Sequence, residues 1–261
     1  MIVVKFGGHA MTDKDGAFAS AISSARKQGI SVVVVHGGGP QIDQALKSAG
    51  IESTFVGGFR VTTPEVFTIV ERVLAKEVGP QVAASLVAHG IAAQSISGRE
   101  SGTLIASPLM NLVDGSPADL GLVGVVTQVN TEEIEALIAA GIVPVLSPIA
   151  SDSAGSIGFN VNADLAAAAI AGALDAESLI VMTDVEGIYR NWPDKDSLIS
   201  TISACELSEI KSTFSQGMAP KVQASLDAIS AGAKAVRIIN GTDPLAFGNA
   251  LANEGGTLVV A

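Results

Sequence analysis

A lysine within a buried strand and a lysine at the start of a helix are the first candidates for chemistry in this chain. Lys5 stands inside the β-branched run 2–6, where a charged ammonium group needs a partner. Lys221 follows Gly217 and Pro220 at a helix N-terminus, where the helix dipole already makes a cation unfavourable. An anionic group such as phosphate would satisfy both. The alternatives are a strand-end lysine that reaches water along its apolar stem and an ordinary solvated lysine.

Asp164 belongs to the sequence Asn162-Ala-Asp164, which opens an alanine-rich helix. Capping of that helix explains the aspartate without any further function. If phosphates collect at the same edge of a sheet, however, the carboxylate needs cations beside it, and Lys5 and Lys221 are suitable. A Lys–Asp–Lys arrangement would hold two ammonium groups ready for a migrating phosphoryl group, whose transfer depends mostly on positioning and charge neutralisation.

Two glycine-rich turns could approach an anion with bare backbone. Gly7-Gly8 follows the first strand, and 37–39 is a run of three glycines between a strand and a helix that begins near Pro40. Glycine lets a ligand approach the main chain, and a helix N-terminus offers unpaired N–H groups. One glycine pair is equally well explained as a tight turn, but three glycines exceed what a turn needs. Neither loop matches the Walker pattern or the dinucleotide-binding fingerprint, which disfavours those two classes.

Arg60 lies beside Gly57-Gly58, in a segment that predicts a hairpin. Its planar guanidinium suits a substrate carboxylate, although a surface arginine explains the residue equally well. His36 ends a buried strand, and we interpret it as a hydrogen-bonded core residue rather than a general base. With three histidines and Cys205 as the single cysteine, the sequence has no metal-site spacing.

Strands that alternate with helices must position these residues. The pattern predicts strands near 2–6, 31–36, 91–96, 142–147, 179–183, 235–239 and 257–260, and helices near 14–28, 40–49, 65–89, 131–140, 163–174, 205–211 and 222–231, with one more helix between the last two strands. Gly79-Pro80 predicts a break or kink, and 98–122 reads as hairpins or a mobile loop. The alternation predicts an α/β fold with one open, mainly parallel sheet and ligands at the carboxyl ends of its strands.

Composition limits the class of protein. Hydrophobic residues make up 48% of the 261 residues but aromatic residues only 4%, which suits a parallel sheet covered by helices and built from Val, Ile, Leu and Ala. A net charge of -11 disfavours nucleic acid and anionic membranes as partners. No apolar run has the length of a membrane span, and strand-like sequence begins at once without a leader, so we expect a cytoplasmic protein.

Six blocks of sequence, in this order and spacing, resemble the amino acid kinase family. They are Val4-Lys5-Phe6-Gly7-Gly8-His9-Ala10-Met11, Val35-His36-Gly37-Gly38-Gly39-Pro40, Gly58-Phe59-Arg60-Val61-Thr62, Asn160-Val161-Asn162-Ala163-Asp164, Thr183-Asp184-Val185-Glu186-Gly187 and Gly217-Met218-Ala219-Pro220-Lys221-Val222. The resemblance covers nearly the whole chain and implies a three-layer αβα sandwich. It also implies an N-terminal lobe, 1–173, for an acyl amino acid and dimerisation, and a C-terminal lobe, 174–261, for ATP. The long helix 65–89 is the candidate interface of a homodimer.

The resemblance implies a role for each matching residue. Lys5 and Lys221 would stabilise the transition state, and Asp164 would organise them. The substrate would be bound by Gly38, Gly39, Arg60, Asn160 and Asn162. ATP would be bound near Gly7, Gly8, Thr183, Asp184, Gly187 and Tyr189, with Mg²⁺ held mainly by the nucleotide phosphates.

Within the family, the blocks are most similar to members that phosphorylate the γ-carboxylate of N-acetyl-L-glutamate with ATP in arginine biosynthesis. A glutamate carboxylate is ionised at neutral pH, so this reaction needs no general base. One alternative is a kinase of the same fold that acts on carrier-bound aminoadipate or glutamate; the block 60–62 and the negative net charge count against it. The other is a non-catalytic nucleotide- or amino-acid-binding regulator, which the retention of Lys5, Asp164 and Lys221 disfavours.

Two departures from the family pattern carry information. His9 stands where members often have asparagine, which leaves that loop contact open. Arginine-inhibited members resemble one another in an extra N-terminal helix and in a His and a Glu near the C-terminus. Here the first strand begins at Ile2, and Arg237 and Ala250 occupy the corresponding places. We therefore expect weak or absent inhibition by arginine.

Overall fold

A computed structural model describes residues 1–7, 16–112, 114–214 and 218–261. Its strands are β1 (Ile2–Phe6), β2 (Val32–His36), β3 (Phe55–Val56), β4 (Phe59–Arg60), β5 (Ala93–Ser97), β6 (Leu104–Pro108), β7 (Val123–Val129), β8 (Val143–Ser147), β9 (Ile149–Ser151), β10 (Gly158–Val161), β11 (Ser178–Thr183), β12 (Thr201–Ser203), β13 (Ala235–Asn240) and β14 (Thr257–Val260). Its α-helices are α1 (Ala17–Lys27), α2 (Gly39–Ser48), α3 (Pro64–Glu71), α4 (Gly79–Ala88), α5 (Glu132–Ala139), α6 (Ala163–Ala173), α7 (Ala204–Ile210), α8 (Ala219–Ser230) and α9 (Ala246–Leu251).

The main sheet has eight strands within the described residues, in the order β12-β14-β13-β11-β1-β2-β8-β5. Neighbouring strands pair in parallel, except that β13 and β14 are antiparallel. Strands β1, β2 and β8 are buried along their whole length. Burial on both faces explains why their sequences are mostly apolar and do not alternate between apolar and polar residues. The predicted open, mainly parallel sheet is confirmed.

Helices cover both faces of this sheet and make three layers. Val3 packs in one apolar cluster with residues of α6 and α8, and Val4 packs in a second cluster with residues of α1 and α4. Side chains alternate along a strand, so Lys5 points to the same face as Val3. The charged side chain therefore emerges beneath α6, the helix that carries Asp164.

A second, smaller sheet was not predicted. Strands β6, β7, β9 and β10 close on themselves beside the main sheet, so the expectation of one sheet was incomplete. The segment 98–122, interpreted as hairpins or a mobile loop, supplies β6, and β7 follows it with three of its seven residues exposed. Partial burial weakens the alternation that would have predicted these strands. The small sheet matters for position, because β10 leads directly into α6.

The predicted break at Gly79-Pro80 takes another form. Between α3 and α4 the chain continues as a π-helical segment, Arg72–Val78, in which the Leu74 carbonyl accepts a hydrogen bond from the Gly79 N–H. Pro80 has no N–H to donate, and the widened turn occurs where that donor is missing. No helix in the described parts of the chain is both long and apolar enough to cross a membrane.

Candidate active site

Lys5, Asp164 and Lys221, hereafter the ion cluster, come together from β1, α6 and α8. Lys5 Nζ lies 3.1 Å from Asp164 Oδ1, and Lys221 Nζ lies 3.1 Å from Asp164 Oδ2. Lys5 Nζ also donates to the Met182 carbonyl at 3.3 Å. The side chains of Lys5, Lys221 and Asp164 are 10%, 18% and 5% exposed. The Lys–Asp–Lys arrangement proposed from the sequence is therefore present, whereas the solvated explanation for either lysine is wrong.

Asp164 holds the two ammonium groups together. Burial raises the pKa of its carboxyl, but the charges and hydrogen bonds of Lys5 and Lys221 outweigh burial and bring that pKa below its usual range. The carboxylate is therefore ionised at neutral pH. With both lysines protonated, the ion cluster carries one net positive charge and favours an anion beside it.

Asn162, rather than Asp164, caps helix α6. Its side-chain oxygen accepts hydrogen bonds from the N–H groups of Asp164 at 2.8 Å and Leu165 at 3.3 Å. Capping was the alternative explanation for Asp164, and the structure assigns that task to its neighbour. Because the cap is supplied elsewhere, the Asp164 side chain is available to the lysines.

The two glycine loops lie against each other at the carboxyl ends of β1 and β2. The Gly37 N–H donates to the Phe6 carbonyl at 2.8 Å, and a Cβ on Gly37 would lie 3.5 Å from Gly7 Cα. A Cβ on Gly7 would lie 3.0 Å from both Cε and Nζ of Lys5. Because Gly7 has no side chain, the Lys5 side chain can pass close to its backbone. Gly8, His9 and Gly217 lie outside the described residues.

A cleft of about 260 Å³, hereafter the small cleft, opens in front of the second loop. Its lining includes Lys5, Gly38, Gly39, Arg60, Asn160 and Asp164. Gly38 precedes α2 as its N-cap, and a Cβ there would lie 2.5 Å from Leu74 Cδ2. A Cβ on Gly39 would meet open space. The start of α2 therefore presents bare backbone to the cleft, as an anion site requires.

Arg60 reaches the small cleft from the predicted hairpin. Strands β3 and β4 pair antiparallel across Gly57 and Gly58, whose φ angles are 58° and 86°. Arg60 Nη1 donates to Asp43 Oδ1 at 2.6 Å and to the Ser53 hydroxyl. Arg60 is 7% exposed, so it is not a solvated surface arginine. Within the described residues its side-chain hydrogen bonds all use Nη1, which leaves the rest of the guanidinium for a ligand.

A larger pocket of about 700 Å³, hereafter the large pocket, lies on the other side of Lys221. Its lining includes Thr183, Asp184, Tyr189, Trp192, Phe214 and Lys221. The Thr183 hydroxyl donates to Asp184 Oδ1 at 3.1 Å, and the rings of Tyr189 and Trp192 meet edge to face at 5.3 Å. Gly187 lies apart from this lining and packs against Thr257, where a Cβ would collide.

Trp192 and Phe214 are pocket residues that the sequence analysis missed. Both lie outside the strands and helices that it predicted. The available signal was composition, because Trp192 is the single tryptophan of a chain with 4% aromatic residues. An exposed aromatic side chain in such a chain indicates a binding surface.

His36 is a buried structural residue, as interpreted from the sequence. Its Nδ1 lies 2.8 Å from the Gly37 carbonyl, and its Nε2 lies 2.9 Å from the Ser147 hydroxyl. Burial lowers the pKa of His36 to about 4, so the ring is neutral at pH 7. A carbonyl can only accept, so Nδ1 carries the proton, while Nε2 and the Leu74 carbonyl, 3.1 Å from the Ser147 hydroxyl, share the one proton of that hydroxyl. The histidine thus fixes the first glycine of the loop.

We expect His36 to make the protein less stable in acid. Its folded-state pKa of about 4 lies below the ordinary value of 6.5, so the unfolded chain binds the proton more readily between these values. Acidification from pH 7 to pH 4 should therefore cost about 3 kcal/mol of unfolding free energy through this residue. Urea unfolding at several pH values measures the effect. In His36→Asn the same pH interval should cost less, and an unchanged pH slope would contradict the assignment.

The chain is similar to known proteins along most of its length. The model of the amino acid kinase family matches residues 1–240. The acetylglutamate kinase of Nocardia farcinica is 47% identical over 246 residues, which cover 94% of this chain and 81% of that protein. That of Mycolicibacterium gilvum is 46% identical over 264 residues, covering 100% and 91%. The structure of smu.665 from Streptococcus mutans UA159 superposes with a TM-score of 0.83 at 28% identity, covering 100% and 98% of the two chains.

Proposed function

The chain belongs to the amino acid kinase family, and we propose that its ion cluster catalyses phosphorylation of the γ-carboxylate of N-acetyl-L-glutamate by ATP. This is the acetylglutamate kinase reaction of arginine biosynthesis, for which relatives at 46–47% identity over most of the chain are named. The observation that carries the proposal is the pair of ammonium groups, each 3.1 Å from one carboxylate, between the small cleft and the large pocket.

In this proposal the small cleft binds the acyl amino acid. Arg60 pairs with a substrate carboxylate, Asn160 donates or accepts a hydrogen bond, and the backbone of Gly38 and Gly39 faces the reacting group. The attacking carboxylate is already ionised at neutral pH, so no base has to remove a proton. Asp164 is held by two lysines and acts as their organiser.

The large pocket binds ATP in this proposal. The aromatic side chains Tyr189, Trp192 and Phe214 suit a nucleobase, and Lys221 stands where the phosphates must approach the small cleft. Within the described residues no group of three or more His, Cys, Asp or Glu could hold a metal ion. We propose that Mg²⁺ arrives with ATP and is held mainly by its phosphates, with Asp184 as the carboxylate of the pocket lining.

The two lobes follow from the same assignment. The lining of the small cleft extends along the chain to Asp164, and that of the large pocket runs from Thr183 to Lys221. These positions support 1–173 as the lobe for the acid and 174–261 as the lobe for the nucleotide. We further propose that the chain forms a homodimer through the continuous helical stretch made of α3, the π-helical segment and α4. We also propose a cytoplasmic location. Light scattering on the purified protein gives the oligomeric state.

A coupled assay of ADP release tests the proposed function. We expect turnover with ATP and N-acetyl-L-glutamate, and little with glutamate, aspartate or carbamate. Equal turnover with one of these controls would indicate another kinase of the same fold. Nucleotide binding without turnover of any acid would favour the non-catalytic regulator.

Arginine is expected to inhibit weakly or not at all. Arg237, at one position where arginine-inhibited members differ, is 5% exposed and donates to the carbonyls of Gly255 at 2.6 Å and Asn253 at 3.1 Å. Its guanidinium is therefore committed to the chain's own backbone. Titration of the assay with arginine checks this, and inhibition at submillimolar arginine would contradict it.

A further inference from the structure

Thr62 joins two segments that both line the small cleft. Its hydroxyl donates to the Arg60 carbonyl at 2.8 Å and accepts from Asn160 Nδ2 at 3.1 Å. Thr62 has no exposed surface. One buried hydroxyl therefore connects the strand of Arg60 to β10, although Thr62 and Asn160 are 98 positions apart in the chain.

The backbone fixes the position of this hydroxyl. The Thr62 N–H donates to the Leu120 carbonyl at 2.9 Å, and the Thr62 carbonyl accepts from the Leu122 N–H at 2.7 Å. Both main-chain groups of Thr62 are thus tied to the segment that leads into β7. The hydroxyl oxygen has little freedom to follow either partner if that partner moves.

Hydrogen-bond chemistry also fixes the orientation of Asn160. The Thr62 hydroxyl has one proton, and it points to the Arg60 carbonyl, which can only accept. The oxygen must then accept from Asn160, so the amide turns its nitrogen to Thr62. The other side of the carboxamide, with Oδ1, is presented in one defined orientation. Without the hydroxyl, the amide could flip.

We propose that Thr62 is a positioning residue, whose hydroxyl holds Arg60 and Asn160 at a fixed separation so that both contact the acidic substrate. The inference rests on the proposed function, because it takes the small cleft as the site of the acyl amino acid. Thr62 itself is not in the lining of the cleft, while both of its partners are. The effect should therefore fall on binding of the acid, and ATP binding and the chemical step should change little.

Thr62→Val tests the inference, because valine keeps the shape and removes the hydroxyl. It leaves the Asn160 amide and the Arg60 carbonyl without their partner, and we expect the KM for acetylglutamate to rise about tenfold. We expect kcat to change by less than about threefold and the KM for ATP to stay constant. Thr62→Ser keeps the hydroxyl and should restore the wild-type KM.

Thr103→Val is the matched control. Thr103 is 1% exposed, and its hydroxyl bonds to Ser101 at 2.6 Å in a part of the chain that does not line the small cleft. It should lose stability in thermal unfolding, as Thr62→Val should, but keep the wild-type KM for acetylglutamate. An equal rise in KM in this control would show general loosening and overturn the inference.

Four further outcomes separate this inference from the proposed function. A Thr62→Val enzyme with unchanged KM for acetylglutamate, or a Thr62→Ser enzyme that fails to recover it, overturns the role of Thr62 alone. A wild type that binds acetylglutamate in calorimetry without turnover overturns the proposed function, and the affinity ratio of wild type to Thr62→Val then decides on Thr62. A wild type that does not bind acetylglutamate overturns both.

Discussion

Replacing Lys221 by methionine is expected to lower kcat by about a thousandfold, with the KM for acetylglutamate changed only a few-fold. Lys221 Nζ lies 3.1 Å from Asp164 Oδ2, and Lys221 lines the large pocket, which the proposed function assigns to ATP. A charge fixed at that point stabilises the transition state more than the bound substrate. Methionine keeps the length and apolar stem of the side chain, so the loss should come from the missing ammonium group.

Steady-state kinetics with both substrates, together with thermal unfolding, measure this effect. Lys234→Met is the control, because Lys234 is 63% exposed and pairs with Glu177 on the surface, so its kcat should equal that of the wild type. A Lys221→Met enzyme with kcat near the wild-type value would show that Lys221 does not take part in phosphoryl transfer. A rise in the KM for ATP alone would make it a nucleotide-binding residue.

Replacing Asp164 by asparagine should affect stability and turnover together. The amide cannot offset two ammonium groups whose side chains are 10% and 18% exposed, and breaking such a buried arrangement costs about 3–5 kcal/mol of unfolding free energy. We also expect kcat to fall about a hundredfold, because Lys5 and Lys221 lose the group that aims them. Added ATP should recover part of the stability, since its phosphates replace the missing negative charge.

Urea unfolding with and without ATP, and the coupled assay, check the Asp164→Asn result. Glu177→Gln is the matched control, because it removes the acidic partner of an exposed lysine and should change neither quantity measurably. If Asp164→Asn unfolds like the wild type, the carboxylate is not holding the two lysines together. If its stability falls but its kcat does not, Asp164 is structural only.

The ion cluster was predictable because both of its lysines conflict with their local surroundings. A lysine in a buried strand and a lysine at the positive end of a helix both require an anion nearby, and the carboxylate of an aspartate placed between them supplies the negative charge. The mainly parallel sheet followed from β-branched runs alternating with helices, which is also the reason the sites at the strand ends could be anticipated. These inferences depend on properties of short segments, and short segments are what a single sequence reports well.

The rest depends on contacts between distant segments. Strand β7 of the small closed sheet is partly exposed, so its sequence pattern is weak, and the sheet closes through the pairing of β7 with β10 and of β6 with β9, which are not consecutive in the chain. The local sequence does not distinguish Asn162 from Asp164 as the helix cap. The distinction depends on the contacts of Asp164 with the lysines of β1 and α8. The bond from Asn160 to Thr62 spans 98 positions and leaves no local trace.

The order of strands in the main sheet sets the distance between the small cleft and the large pocket. Strand β1 lies between β2, which leads to the small cleft, and β11, which leads to the large pocket. Adjacent strands are about 4.8 Å apart, so the loop after β2 and the loop after β11 start from points about 10 Å apart, with the strand of Lys5 midway between them. Hydrogen bonds between the strands fix this separation, so only the loops at the strand ends can adjust. Inserting one residue before Lys5 in β1 would turn the ammonium group to the opposite face of the sheet. The space between the small cleft and the large pocket would then lack that positive charge.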